Sequence, residues 1–239
     1  MTTSTSNVTD PLDIASQRLI RAVDALPEDA WAVPSLLPRW SRAHVVAHLA
    51  LNGEGLATAV VGALEGRTVT MYPSDERRDA DIDKLGAAEP AEIRDRLFAA
   101  TTGLREALAA LAEEPSRAET VIHRTPGSAR HFAAGDVGDM RLREVEIHHV
   151  DLDAGYSPAD WSLDFASELI EGGVQRQSAQ ATLVATDLGR SWRLGTGASD
   201  GPTVKGPACG LAWWLTGRAP YRGVEVASDD GVLPGIEGL

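Results

Sequence analysis

Arg141-Leu142-Arg143-Glu144-Val145-Glu146-Ile147-His148-His149-Val150-Asp151 reads as the body of a helix. Asp136 stands before it as a capping residue and Gly155 after it as a stop. Glu144 and His148 are four apart. On a helix their directions differ by about 40°, and they sit about 6 Å apart along the axis. Both can therefore reach one metal ion. His149 points about 100° away from His148 and does not easily serve the same ion. Asp151, three positions beyond His148, either orients that imidazole or stands as a solvated charge.

A second cluster, Ser41-Arg42-Ala43-His44-Val45-Val46-Ala47-His48-Leu49, falls on another helix that Ser41 can cap. His48 shares its helix face with Val45, Leu49 and Asn52, so it is expected to point into the protein. His44 is the alternative donor from this helix, or a residue that orients a ligand, or a surface residue. A single Glu-x-x-x-His pair usually means only a weak side-chain interaction. Two such clusters on two helices of one bundle suggest a shared ion. His48, Glu144 and His148 form a donor set of the kind zinc enzymes use, with the fourth position open to water or substrate. The same set also suits nickel, cobalt or iron.

Outward from these stretches, Asp10-Pro11 starts a helix carrying Ile14, Leu19, Val23 and Leu26. The helix capped by Ser41 runs to about Leu64, with Gly66 at its end. Arg67 to Gly86 is charged and reads as a surface connection with at most a short helix. Pro90 opens a helix bearing Ile93, Leu97, Leu104, Leu108 and Leu111, stopped by Pro115. Thr120 to Ala134 reads as a hairpin or loop around Pro126-Gly127. Four long helices in the first part predict an antiparallel four-helix bundle.

After Gly155 the pattern changes. A helix is expected over Leu163–Gln177, and short strands at Ala181–Thr186, Ser191–Leu194 and Val224–Ala227. Asp187, Gly189, Gly195, Gly197 and Asp200-Gly201-Pro202 mark turns between strands. Pro207 to Gly217 reads as a last helix. The chain therefore divides into 1–156, a helical metal-binding domain, and 157–239, a small α+β domain.

Composition narrows the function. The chain has 239 residues, 43% of them hydrophobic and 24% charged, which fits a globular protein and not a disordered or fibrous one. The formal net charge of −13, with no Lys or Arg block, argues against nucleic acid as a partner. Residues 1–10 lack the basic start and apolar stretch of a signal peptide, and no run of about 18 apolar residues suggests a membrane span. With one cysteine, Cys209, a cytoplasmic protein is expected. Cys209 sits between Pro207-Ala208 and Gly210-Leu211 and is read as a packed residue rather than a nucleophile.

The two histidine stretches resemble the metal-binding segments of the mycothiol-dependent maleylpyruvate isomerases, extending to His44–Asn52 and Arg141–Leu152. The resemblance covers essentially the whole chain, including Trp40 and Gly217-Arg218. It implies a DinB-like four-helix bundle joined to a small α+β domain. It makes His48, Glu144 and His148 the zinc ligands, gives His44 no ligand role, and places an arginine important for activity at Arg218. The implied reaction converts maleylpyruvate to fumarylpyruvate in gentisate breakdown, with mycothiol as cofactor. A dianionic substrate calls for cationic partners, and Arg218 and Arg141 are the candidates on this side of the chemistry. Arg143 is more at home in a surface ion pair. The partners expected are thus a small electrophile and a low-molecular-weight thiol. Two other readings use the same residues: a mycothiol S-transferase acting on another electrophile, and a non-enzymatic zinc module that regulates a partner.

Overall fold

The computed structural model describes residues 10–197 and 201–238. The signal-peptide reading of the N-terminal residues, and Asp200 in the predicted turn, fall wholly or partly outside them. Two compact units divide the chain, Met1–Ala154 and Gly155–Leu239.

The first unit is helical, with helices α1 (Pro11–Asp24), α2 (Arg42–Leu64), α3 (Asp75–Gly86), α4 (Pro90–Glu113) and α5 (Val137–Asp151). Asp10 caps α1, its side chain accepting from the Leu12 amide, and Pro11 takes the first helical position. Ser41 caps α2 in the same way. Helix α2 is the central element, packing on α3, α4 and α5. Its Val45, Val46, Leu49, Leu56 and Val60 are fully buried, each contributing about 1.5–3 kcal/mol of hydrophobic stabilisation for the larger side chains. Over 18 residues its mean hydropathy reaches 1.3, enough by length and composition for a membrane span, but 67% of that stretch is buried inside the unit.

Two apolar clusters fill the helical unit. One gathers α1, the start of α4 and α2 as far as Ala50. The other gathers α2 from Leu56 onward, the end of α4, and Ile122, Ala134 and Val137. On α2 and α5, between these clusters, lie the buried polar residues Asn52 and Arg141.

The stretch expected to be a surface connection holds a full helix. Helix α3 is capped by Ser74, whose hydroxyl accepts from the Arg77 amide, and it buries Ile82 and Leu85. Strands β1 (Val121–His123) and β2 (His131–Ala133) form the expected antiparallel hairpin. The hairpin is tied to the α2–α3 connection, where the Met71 and Tyr72 amides donate to the His123 and Arg124 carbonyls. Asp136 does not cap α5 with its side chain; its carboxylate instead accepts from the Ala133 amide.

The second unit holds α6 (Leu163–Val174), α7 (Ala208–Leu215) and a four-stranded sheet. The strands are β3 (Ala181–Ala185), β4 (Arg190–Leu194), β5 (Thr203–Gly206) and β6 (Ala227–Ser228), in the order β4-β3-β5-β6. β5 was not expected, and it runs parallel to β3. β6 lies later than the predicted Val224–Ala227 strand, because only Ala227 and Ser228 pair with β5. Asp187, in the turn after β3, accepts from the Ala208 amide and so closes the start of α7. Trp161, Phe165 and Trp213 pack edge-on or tilted in the core of this unit.

Candidate metal centre

Helices α2 and α5 are locked in register by two clamps. Arg42, at the start of α2, donates from Nε to the Leu152 carbonyl at 2.7 Å and from its amino group to the Asp153 carbonyl. A cation there also meets the negative end of α5. Arg141 on α5 donates to the Leu49 carbonyl at 2.8 Å and to Asn52 Oδ1 at 2.7 Å, both on α2. Gly53 makes room for this, since a Cβ there would lie 3.3 Å from the Ala100 Cβ and 3.4 Å from the Arg141 guanidinium.

His48 faces α5 between the clamps. Its Nε2 is 2.9 Å from Glu144 Oε2, and His148 Nε2 is 3.5 Å from the same oxygen. The two imidazoles meet edge to face, with ring centroids 4.6 Å apart. One ligand atom from each of the three residues lies within 4.8 Å of the others. His48 is 4% exposed, whereas the Glu144 side chain is 35% exposed, so the cluster opens to solvent on the carboxylate side.

His44 does not join them. Its Nδ1 lies 2.7 Å from Ser41 Oγ and accepts from the Ser41 amide, completing the cap of α2. Trp40 packs against both imidazoles of α2, 5.5 Å from His48 and 6.5 Å from His44. His148 Nδ1 donates to Asp151 Oδ2 at 2.8 Å, which leaves its Nε2 facing the cluster.

The electrostatics follow from burial and these contacts. Burial pushes the His48 pKa down to about 4 despite the Glu144 hydrogen bond, so the ring is neutral at physiological pH. Burial also disfavours charge on His148, but hydrogen bonds to Asp151 and Glu144 outweigh it and raise its pKa. For Glu144 the burial penalty is overcome by hydrogen bonds from His148 and His48, which hold the carboxyl well below its ordinary value.

The donor set fits a divalent cation. Ligand atoms of a tetrahedral zinc site with bonds near 2.0–2.1 Å are about 3.3 Å apart, close to the 2.9 and 3.5 Å separations here. Two adjustments are required: the His148 Nε2 proton shared with Glu144 must leave, and the His48 proton must change nitrogens. Arg78 of α3 donates to His48 Nδ1 at 3.2 Å, so in this arrangement the His48 proton sits on Nε2. A neutral imidazole that ligates through Nε2 carries its proton on Nδ1, and that contact must then open.

Of the two arginines expected to meet substrate, Arg141 is 1% exposed and clamped to α2. Arg218 belongs to the second unit. It lies just after α7, its guanidinium 5.2 Å from the Trp213 ring centroid and donating to the Thr216 carbonyl at 3.3 Å. Arg78, Tyr72 and Arg124 were missed in the sequence. Tyr72 and Arg78 fell in a charged run that read as a surface connection, and Arg124 in the stretch that read as a hairpin or loop.

A half-buried cluster of two histidines and one carboxylate between two helices could hold a divalent metal ion and leave one coordination face open. Two family models match the chain. Residues 12–153 match the mycothiol maleylpyruvate isomerase N-terminal domain, and residues 160–235 match the C-terminal domain of the same family. The chain belongs to the mycothiol-dependent maleylpyruvate isomerase family.

Among solved structures, the fold is similar to that of the mycothiol-dependent maleylpyruvate isomerase, with a TM-score of 0.86 at 23% identity over 96% of this chain and 94% of that one. A histidine-to-alanine mutant of that enzyme matches at a TM-score of 0.85 with the same identity and coverage. A comparison with curated proteins finds no match.

Proposed function

We propose that this protein is a zinc- and mycothiol-dependent isomerase converting maleylpyruvate to fumarylpyruvate, as in gentisate breakdown in the cytoplasm. The observation that carries the reading is the convergence of His48, Glu144 and His148, open on the Glu144 side, in a chain of this family. On this reading residues 1–156 are a DinB-like antiparallel four-helix bundle that holds the metal, and 157–239 form the α+β domain.

A divalent cation at these residues supplies the positive charge that keeps a coordinated thiol ionised, about +1 net for zinc with one carboxylate ligand. The maleylpyruvate alkene, once saturated by thiolate addition, turns about a single bond and returns as the trans alkene on elimination. The protein's own residues prepare this. His48 offers a neutral ring, His148 becomes a donor once its Nε2 proton leaves, and Asp151 fixes the direction of His148. Trp40 shields the α2 imidazoles from water on one side. Arg141 positions α2 against α5 and does not touch substrate, because its guanidinium is enclosed. Arg218 is the residue assigned to the substrate carboxylates.

A mycothiol S-transferase would use the same metal and thiol but release the adduct. Metal analysis combined with a maleylpyruvate assay, with and without mycothiol, tests the proposal on wild type and His48→Ala. Wild type is expected to hold one metal per chain and to need mycothiol catalytically. His48→Ala is expected to lose both metal and activity. Stoichiometric thiol consumption without a trans product would favour the transferase, and full activity without metal would exclude both.

A further inference from the structure

Beside the candidate metal centre, α3 and the β1–β2 hairpin line an open surface pocket of about 390 Å³. Three guanidiniums line it, from Arg78, Arg124 and Arg130, against two carboxylates, from Asp75 and Asp79. In a chain with a net charge of −13, such a local excess of positive charge is a specific placement.

The existing pairings leave donors to spare. Arg124 meets Asp75 at 3.0–3.1 Å, and Arg78 meets Asp79 at 2.7 Å, but both aspartates are exposed, where such pairs are worth little. Arg78 Nε is buried without a hydrogen-bond partner. The exposed Arg130 has no side-chain partner among the described residues. Arg78 and Arg124 are held against the Tyr72 ring, 5.8 and 5.4 Å from its centroid, so two of the three guanidiniums are preorganised.

Arg78 also links the pocket to the metal centre through its 3.2 Å contact with His48 Nδ1. Ligation through His48 Nε2 would free that donor group at the pocket wall. Guanidiniums grouped in this way match carboxylate geometry.

We propose that the Arg78–Arg124–Arg130 pocket is a carboxylate-binding subsite of the helical unit, taking one end of a small dicarboxylate whose other end extends toward the metal centre. Its three arginines belong to the helical unit, and Arg218 to the second unit. As a substrate subsite the inference rests on the proposed function; as an anion site it stands without it.

The test is a calorimetric titration of maleate into the whole protein, metal-free and zinc-loaded, for wild type, Arg124→Gln and Arg130→Gln. Zinc affinity and the thermal transition are measured on the same samples. Arg130 makes no side-chain contact that folding depends on, so its variant keeps the test decisive if Arg124→Gln is unstable. Each substitution is expected to weaken maleate binding about tenfold while zinc affinity changes less than about twofold. If the protein binds no zinc but maleate binding still falls in the variants, the subsite stands and the metal reading fails. No maleate binding by wild type, or wild-type affinity in both variants, would overturn the subsite and leave the metal reading untouched.

Discussion

His148 Nδ1 donates to Asp151 Oδ2 at 2.8 Å, and that carboxylate has no solvent exposure. The pair is three residues apart on α5, so a single turn of helix sets both the direction and the tautomer of the imidazole. Asp151→Asn should preserve the fold but allow the ring to turn. Zinc affinity is expected to fall about 10- to 100-fold, measured by competition with a chromogenic chelator. Unchanged affinity would mean that the carboxylate has no part in holding the ligand.

Arg141 separates a positioning role from a catalytic one. Burial lowers its pKa to about 10, so the guanidinium remains charged at neutral pH. Arg141→Ala removes two hydrogen bonds, leaves a cavity and takes from Asn52 Oδ1 its buried donor. A loss of about 2–4 kcal/mol is expected, seen as a fall on the order of 10 °C in the thermal transition. A variant with an unchanged transition but no turnover would place Arg141 in contact with substrate instead.

Arg78 competes with metal for the protonation pattern of His48. Arg78→Met removes the donor to His48 Nδ1 and one positive charge beside the site. Zinc should then bind about tenfold more tightly, the opposite sign to a ligand mutation. Weaker zinc binding in this variant would show that Arg78 supports the site.

Cys209 offers a control for the borrowed thiol. Burial raises its pKa above the ordinary thiol value, so its reactive thiolate is scarcer than that of a free cysteine at pH 8 and appears only as pH rises further. Alkylation by iodoacetamide should be slower than for free cysteine at pH 8. Cys209→Ala should keep kcat and KM within about twofold. Loss of activity at unchanged zinc content would implicate the protein's own sulfur.

The helix starts were legible where capping chemistry is local. Asp10-Pro11, Ser41 and Pro90 each mark the first turn of a helix within a residue or two. Helix α3 was hidden because only Ile82 and Leu85 of its twelve residues are buried, and the rest reads as solvated charge. β5 escaped notice because it is four residues long and pairs with β3 in parallel, a contact made far along the chain. Glu144 and His148 could be paired by helical spacing alone. Spacing could not choose between His44 and His48, which lie one turn apart; the Ser41 cap engages His44 and leaves His48 facing Glu144. Arg78 was out of reach of sequence reasoning, because its contact with His48 spans thirty residues and depends on how α3 lies against α2.

X-ray absorption at the zinc edge, recorded on the loaded protein before and after saturation with mycothiol, is the most direct test. Two nitrogen ligands and one carboxylate oxygen at about 2.0–2.2 Å, joined on thiol addition by one sulfur at about 2.3 Å, are the predicted result. A shell that stays purely nitrogen and oxygen in the presence of mycothiol would contradict a metal-held thiolate.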